Sequence, residues 1–189
     1  MLIFTSMAEP REPDGSELIE SRLRMLAEGD SAAMEQIYEL TRTAVYAYAL
    51  SLLKNSFDAE DVMHDCYLRL YASAGAYDPR GKPMAYILRI VRNLCRDRLA
   101  ERARRAEVTE EEWGSLLRTD DIPSSLQAAE WMSILRDDER QIVLLHAVAG
   151  FRHRETASFM GMPLSTVLSK YSRAIKKLRK HITEREDRI

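Results

Sequence analysis

The chain has 189 residues, 46% of them hydrophobic, and a formal net charge of −2. That length exceeds one small domain and is short for three, so two domains of ordinary size are expected, each large enough to bury its own core. No apolar run approaches the roughly 18 residues of a membrane span, which argues against membrane insertion.

The two cysteines, Cys66 and Cys95, lie alone in apolar helical patterns, which fits buried free thiols in a reducing cytoplasm better than a disulfide scaffold. The opening "MLIFTSM" is too short for a signal-peptide core and lacks a basic flank, and Met7 is an alternative start. Residues 1–16, which end in "AEPREPDGS", read as disordered. Beyond them nearly every segment has the period of a helix and none alternates with a period of two, so the fold class is all-α.

A first helix is expected from about Glu17 to Glu28, stopped by Gly29. Asp30 or Ser31 caps a second, whose Ala33, Ile37, Leu40, Ala44, Tyr48 and Leu52 recur on one face as far as about Leu53. Asn55-Ser56 interrupts it, and Asp58 is read as the cap of a third helix running to Tyr71. "ASAGAYDPRGKP" is a loop by its glycines and prolines, and a fourth helix follows from Met84 to about Arg105. Residues 106–124, ending in "DDIPSS", read as a linker. Helices are then expected near Leu126 to Leu135 and Asp137 to Ala149, followed by a tight helical pair.

That pair is the sharpest local signal. Ala157, Gly161 and Val167 fall at i, i+4 and i+10, the spacing of a helix-turn-helix. Ala157 is small enough for a second helix to cross closely, Gly161 permits the positive φ that stops the first helix, and Val167 points back into the angle. Pro163 lacks an N–H that a first helical turn would leave unpaired anyway, so the second helix should begin near Leu164. Val167, Tyr171, Ala174, Ile175, Leu178 and Ile182 form its apolar stripe. Its polar face carries Ser165, Ser169, Lys170, Ser172, Arg173, Lys176, Lys177 and Lys180.

The small net charge conceals segregation. Residues 9–65 hold thirteen acidic and five basic side chains, whereas residues 79–105 hold nine basic and two acidic. Residues 107–121 carry six acids and one Arg, and residues 152–185 again hold nine basic and two acidic. Two basic blocks around an acidic connector suggest two contacts with one polyanion.

Two motifs compete for chemistry. In "DAEDVMHDCYLRLY", Asp61, His64, Asp65 and Leu68 share one helical face, a conceivable metal or acid–base site, but no second His–carboxylate pair accompanies it. The other reading places Val62, Cys66, Tyr67 and Leu70 inward and leaves Glu60, Asp61, His64, Asp65 and Arg69 as a strip that docks on a partner helix. In "PRGKPMAYILRIVRNLCRDRLAERARR", Tyr86, Ile87, Ile90, Leu94 and Leu99 supply an apolar stripe while Arg89, Arg92, Asn93, Arg96 and Arg98 project elsewhere. Arginine and asparagine fork onto phosphates and base edges, and Tyr77, Arg80 and Lys82 in the preceding loop suit unstacked single-stranded bases. The plain alternative is a solvated basic helix.

In order and together, these stretches resemble the extracytoplasmic-function (ECF) sigma factors of bacterial RNA polymerase, from about Leu18 to Ile182. "AEGDSAAMEQIYELTRTAVYAYALSLLKNSFDAEDVMHDCYLRLY" is similar to the family's opening helices, "AYILRIVRNLCRDRL" to its promoter-melting helix, and "LRDDERQIVLLHAVAGFRHRETASFMGMPLSTV" to its second domain. The resemblance implies a region 2-like domain over residues 17–105 and a region 4-like helix-turn-helix domain over 125–189. It further implies an initiation subunit that is not itself an enzyme, uses no cofactor or metal, and has core RNA polymerase, promoter DNA and an anti-sigma factor as partners.

By the same resemblance Asp58, Glu60, Asp61, His64, Asp65 and Arg69 bind core polymerase. Tyr77, Arg80, Lys82, Tyr86, Arg89, Arg92, Asn93 and Arg96 bind and melt the minus-ten element. Arg152, Arg154, Ser165, Thr166, Leu168, Ser169, Lys170, Ser172, Arg173 and Lys176 meet the minus-thirty-five element. Leu168 stands where the family often has arginine, and Tyr86 where tryptophan is common. The rival readings are a stand-alone helix-turn-helix regulator that dimerises through its N-terminal domain, a sigma-like decoy that binds only an anti-sigma protein, and a hydrolase built on the Asp58 to Asp65 cluster.

Overall fold

Turn residues decide where each helix stops. Gly29, at φ 98°, ends the first helix, and the Asp30 carboxylate accepts the Ala32 N–H at 3.0 Å to open the second. Asn55, in extended backbone, caps the third by accepting the Asp58 N–H at 3.0 Å. Asp58 therefore lies inside the first turn and is not the cap expected from the sequence; Asn and Asp are comparable caps, so only backbone conformation separates them.

The computed structural model describes residues 15–79, 81–106 and 134–186. Helices α1 (Gly15–Ala27), α2 (Ala33–Leu53), α3 (Ser56–Ala72) and α4 (Pro83–Ala106) form the first half, with a single 3₁₀ turn at Ala74–Ala76. The second half has α5 (Asp137–Val143), a π-helical turn at Leu144–Val148, α6 (His153–Met160) and α7 (Leu164–Glu186). Among the described residues there is no strand, and no helix is long and apolar enough to cross a membrane. Apart from Ala106, the expected linker lies outside the described residues, as does most of the helix expected near Leu126 to Leu135.

α2 is the central post. Ile37, Val45, Tyr48 and Ala49 of α2 meet Leu23 and Leu26 of α1, Val62, Cys66 and Leu70 of α3, and Ile87, Leu88, Val91 and Cys95 of α4 in one core. Full burial of each large aliphatic side chain contributes about 1.5–3 kcal/mol. Both cysteines are buried and free. The fully buried Thr41 hydroxyl of α2 donates to the Ile37 carbonyl at 2.6 Å and bonds the Tyr67 hydroxyl at 2.9 Å, so it is not stranded.

The expectation that each domain can bury a separate core needs correction. Ile142, Ala157 and Val167 form one small cluster in the second half and Leu135, Val143 and Ala174 another, but Leu145 and Phe151 belong to the large core around α2. Phe159 packs edge-on against Tyr48 and Phe151, with ring centroids 6.0 and 5.5 Å apart. A helical pair this small lacks apolar surface for a full core of its own, and it covers the deficit on α2.

Lys54 is the only non-glycine residue with positive φ among those described, at 54°. Its backbone N–H closes α2 on the Leu50 carbonyl and its ammonium reaches Asp137 at 2.6 Å. Both partners of that pair are more than half exposed, so it adds little, whereas a left-handed lysine costs about 1 kcal/mol. Lys54→Gly is accordingly expected to leave thermal stability unchanged or to raise it slightly. A clear fall in melting temperature would show that the Asp137 contact outweighs the backbone term.

Candidate nucleic-acid and polymerase interface

The helix-turn-helix forms as its spacing requires. Gly161 adopts φ 67° and ψ 32°, and the Met162 N–H returns to the Ala157 carbonyl at 3.0 Å. Val167 is fully buried against Ile142 and Ala157. Three consecutive acids at the start of α5 brace the unit. Lys177 reaches Glu139 at 2.6 Å, Lys170 sits directly on Asp138, and Glu139 also accepts the Arg136 N–H at 3.2 Å. The Lys170 bond holds the Asp138 carboxyl below its ordinary 3.8. For Glu139, burial pushes upward but the Lys177 ammonium and the Arg136 N–H prevail and keep it below 4.5.

His146 and His153 stack with centroids 4.1 Å apart and both rings lie against Tyr171. The Nδ1–H of His146 donates to the Phe151 carbonyl at 2.7 Å. Burial, and then His146, hold His153 below its ordinary 6.5. A base whose pKa falls on folding contributes its full stability above the unfolded value and loses it as pH drops through that value. The two depressed carboxyls lose theirs further down, below 4.5. Melting temperature should therefore begin to fall as pH drops below about 6.5, and His153→Gln should flatten that first step. A profile flat down to the carboxylate range would contradict the assignment.

The residues assigned to the helix-turn-helix contact are not equally free. Arg152, Arg154, Ser165, Leu168, Ser169, Ser172, Arg173 and Lys176 are exposed, and Thr166 is half-buried. Lys170 is half-buried and committed to Asp138, so the DNA contact expected of it from the sequence competes with an internal partner.

On α4, Arg89, Arg92, Asn93 and Arg96 all face solvent opposite the buried Ile87, Leu88 and Val91. Arg92 bends toward the second half, donating to the Phe159 carbonyl at 2.8 Å, with its guanidinium 5.7 Å from the Phe159 ring centre. Tyr77 and Tyr86 form an aromatic pair, centroids 4.9 Å apart and tilted by 56°. Lys82 is exposed and 3.8 Å from Glu155, while Arg80 lies outside the described residues.

Glu20 fixes this loop, a part that was not legible in the sequence. It is only 8% exposed, accepts the Tyr77 hydroxyl at 2.5 Å, and lies 3.7 Å from Arg24. Burial first, and then this bond, push the Tyr77 phenol well above its ordinary 10. No sequence period marks Glu20, because it sits beside Ile19 on the apolar face of α1, where a charge reads as an accident. Glu20→Ala is expected to loosen the Tyr77 loop while leaving the α2–α4 core intact, a split readable by hydrogen exchange of the loop amides beside circular dichroism.

On α3 the structure separates the strip into two parts. Glu60, Asp61, His64, Asp65 and Arg69 are exposed. Asp58 turns inward against Arg102, with Arg98 3.9 Å away, and Arg98 also holds Asp61 at 2.9 Å. Phe57, Leu68 and Tyr71 are 58%, 57% and 56% exposed on the same side of α3. Sequence reasoning placed Leu68 on this face but missed Phe57 and Tyr71 as anchors. The available signal was their recurrence opposite Val62, Cys66 and Leu70. Large apolar side chains rimmed by charge are what a protein interface uses as hot spots. Among the described residues no group of three His, Cys, Asp or Glu is arranged to hold a metal ion.

Comparison with known proteins gives this geometry its context. Residues 37–105 match the family model of Sigma-70 region 2, and residues 127–178 that of Sigma-70, region 4. The ECF RNA polymerase sigma factor SigE of Mycolicibacterium smegmatis is 30% identical over 187 residues, covering 92% of this chain and 69% of that protein. SigK of Mycobacterium sp. (strain KMS) is 27% identical, covering 93% and 97%. In fold, the chain is similar to the sigma factor RpoE solved with the anti-sigma factor NepR from Bartonella quintana, at a TM-score of 0.65 and 22% identity over 79% of this chain and 96% of that one. CnrH, solved with the cytosolic domain of CnrY, gives 0.60 and 22% over 88% and 98%. Two sigma regions in order, on a helical scaffold that exposes a basic face on α4 and a basic helix-turn-helix, place this chain in the family of ECF RNA polymerase sigma factors.

Proposed function

We propose that α3 docks this chain on core RNA polymerase, that α4 with the Tyr77 to Pro83 loop binds and opens the minus-ten element, and that α7 enters the minus-thirty-five element. The observation that carries this division is the separation of faces: charged and apolar anchors on α3, four solvent-facing forked or amide side chains on α4, and a second basic helix after the Gly161 turn. In this reading residues 17–105 and 125–189 are the two working domains. The chain supplies recognition while the polymerase supplies catalysis, no cofactor is used, and the site of action is the cytoplasm.

Phosphate contacts give affinity and make it steeply salt-dependent, while base contacts choose the sequence. The exposed arginines of α4 meet the first need. The Tyr77–Tyr86 pair offers a face on which an unstacked base of any identity stacks, contributing about 1–3 kcal/mol against the cost of unstacking, and Asn93 is the exposed amide that can read a base edge. Because the structural neighbour RpoE was solved with the anti-sigma factor NepR, an anti-sigma factor is also the expected regulator here.

Run-off transcription with purified core polymerase and genomic fragments tests the proposal. Discrete starts that depend on this chain are expected. A stable dimer that ignores core polymerase and binds duplex DNA alone would favour a stand-alone regulator. Within the proposal, alanine at Phe57, Leu68 or Tyr71 should each weaken core binding by about tenfold, the usual weight of a buried interface anchor. Unchanged affinity in all three would move the polymerase contact off α3.

A further inference from the structure

The outward face of α7 at its N-terminal end is chemically unusual for a helix that enters DNA. Between Leu164 and Ser169 it carries no arginine, lysine, asparagine or glutamine. Its exposed side chains there are Ser165, Leu168 and Ser169, and Leu168 is 44% exposed, while Val167 beside it is wholly buried. The nearest cations do not take over the front of the helix. Lys170 is drawn onto Asp138, and the Arg173 Nε donates back to the Ser169 carbonyl at 3.3 Å. Ser169 in turn donates to the Thr166 carbonyl at 3.0 Å, so even this hydroxyl is turned along the helix.

A lone exposed leucine is ordinary on a protein surface. Here it stands at the tip of the helix-turn-helix, where the first turns of the second helix meet base edges. Arg152 and Arg154 at the start of α6 and Arg173 and Lys176 further along α7 are all exposed, which suits contacts to a flanking phosphate backbone. The major groove offers one apolar feature to such a side chain, the C5-methyl group of thymine. A guanine needs a forked donor at O6 and N7, and residues 164–169 at the front of α7 carry none.

We propose that Leu168 is a specificity-determining residue that packs on a thymine methyl group in the minus-thirty-five element, so that this helix selects a T·A pair by apolar contact. The inference rests on the promoter-binding reading above. The Ser165 hydroxyl can accept from or donate to whichever base edge is present, and it leaves the discrimination to Leu168.

The test uses holoenzyme reconstituted from core polymerase and the full chain. A pool of duplexes randomised upstream of a fixed start region is selected for binding, and each enriched thymidine is then replaced by deoxyuridine, which removes only the methyl group. One thymidine is expected at which this replacement lowers affinity about fivefold for the wild-type chain. Leu168→Ala should abolish that sensitivity, and Leu168→Arg should shift enrichment at the same position toward G·C. Leu168 is exposed and all variants should fold, but the deoxyuridine comparison holds the protein constant in any case. Enriched sites without a methyl-sensitive thymidine, or a methyl effect undiminished in Leu168→Ala, would overturn the assignment while leaving promoter binding intact. No enriched duplex at all from assembled holoenzyme would overturn promoter binding and Leu168's role together.

Discussion

Replacing Arg89, Asn93 and Arg96 together by alanine should reduce open-complex formation by more than about a hundredfold while core polymerase binding stays within about twofold. All three side chains are exposed, and the residues that hold α4 in place, Ile87, Leu88, Val91 and Cys95, are on its other side, so the helix itself should be unaffected. Each lost phosphate contact should also flatten the dependence of log affinity on log salt by about 0.7–0.9, according to whether the DNA is single- or double-stranded. Footprinting of melted thymines, together with core-binding titrations over a salt series, checks both halves. Equal losses in core binding and in melting would show that α4 faces polymerase and would remove the division of labour between α3 and α4. Arg92 is left out of the set because its bond to the Phe159 carbonyl gives it a second role.

Ile142→Ala is the other change with a large expected effect, and it acts through folding. Ile142 is fully buried where α5 meets Ala157 and Val167, the two residues that set the helix-turn-helix angle. Truncating a buried isoleucine to alanine costs about 2–5 kcal/mol when the surroundings cannot collapse into the space. The helical pair has few other buried side chains of that size, so a loss on this scale is comparable to everything that keeps it ordered. The expected result is a chain whose first half, around α2, melts cooperatively near the wild-type temperature while amides of α6 and α7 lose their hydrogen-exchange protection. Duplex binding upstream of the start should disappear, and core binding through α3 should survive. Simultaneous unfolding of both halves would show that Leu145 and Phe151, which join the large core, weld the chain into one cooperative unit.

What the sequence revealed follows from the range of each interaction. The helix-turn-helix was legible because Ala157, Gly161 and Val167 act within eleven residues of chain, and periodicity reports local geometry directly. The inward face of α3, with Val62, Cys66, Tyr67 and Leu70, was legible for the same reason and is buried as expected. The matching of Asp137, Asp138 and Glu139 with Lys54, Lys170 and Lys177 was not, since it spans 83, 32 and 38 residues and charges of opposite sign look alike in every segment. Asp58 illustrates the same limit. A carboxylate near a helix start reads as a cap or as a docking group, and only the approach of α4 shows that it belongs to Arg102. The aromatic seam of Tyr48, Phe151 and Phe159 was hidden too, because each ring fits its own helix or loop pattern and nothing local says which distant ring it will meet.

That seam sets a threshold for grasping DNA at two points. With Phe151 and Phe159 lodged on α2 and Arg92 hooked to the Phe159 backbone, α4 and α7 are held at one fixed separation. Any promoter whose two elements lie further apart must first unlatch these rings into water, and the intrinsic affinity of the opened chain is then discounted by the fraction of molecules found open. A partner that bears the cost of separating the halves, as polymerase would in the arrangement proposed above, would raise DNA affinity without touching a single base.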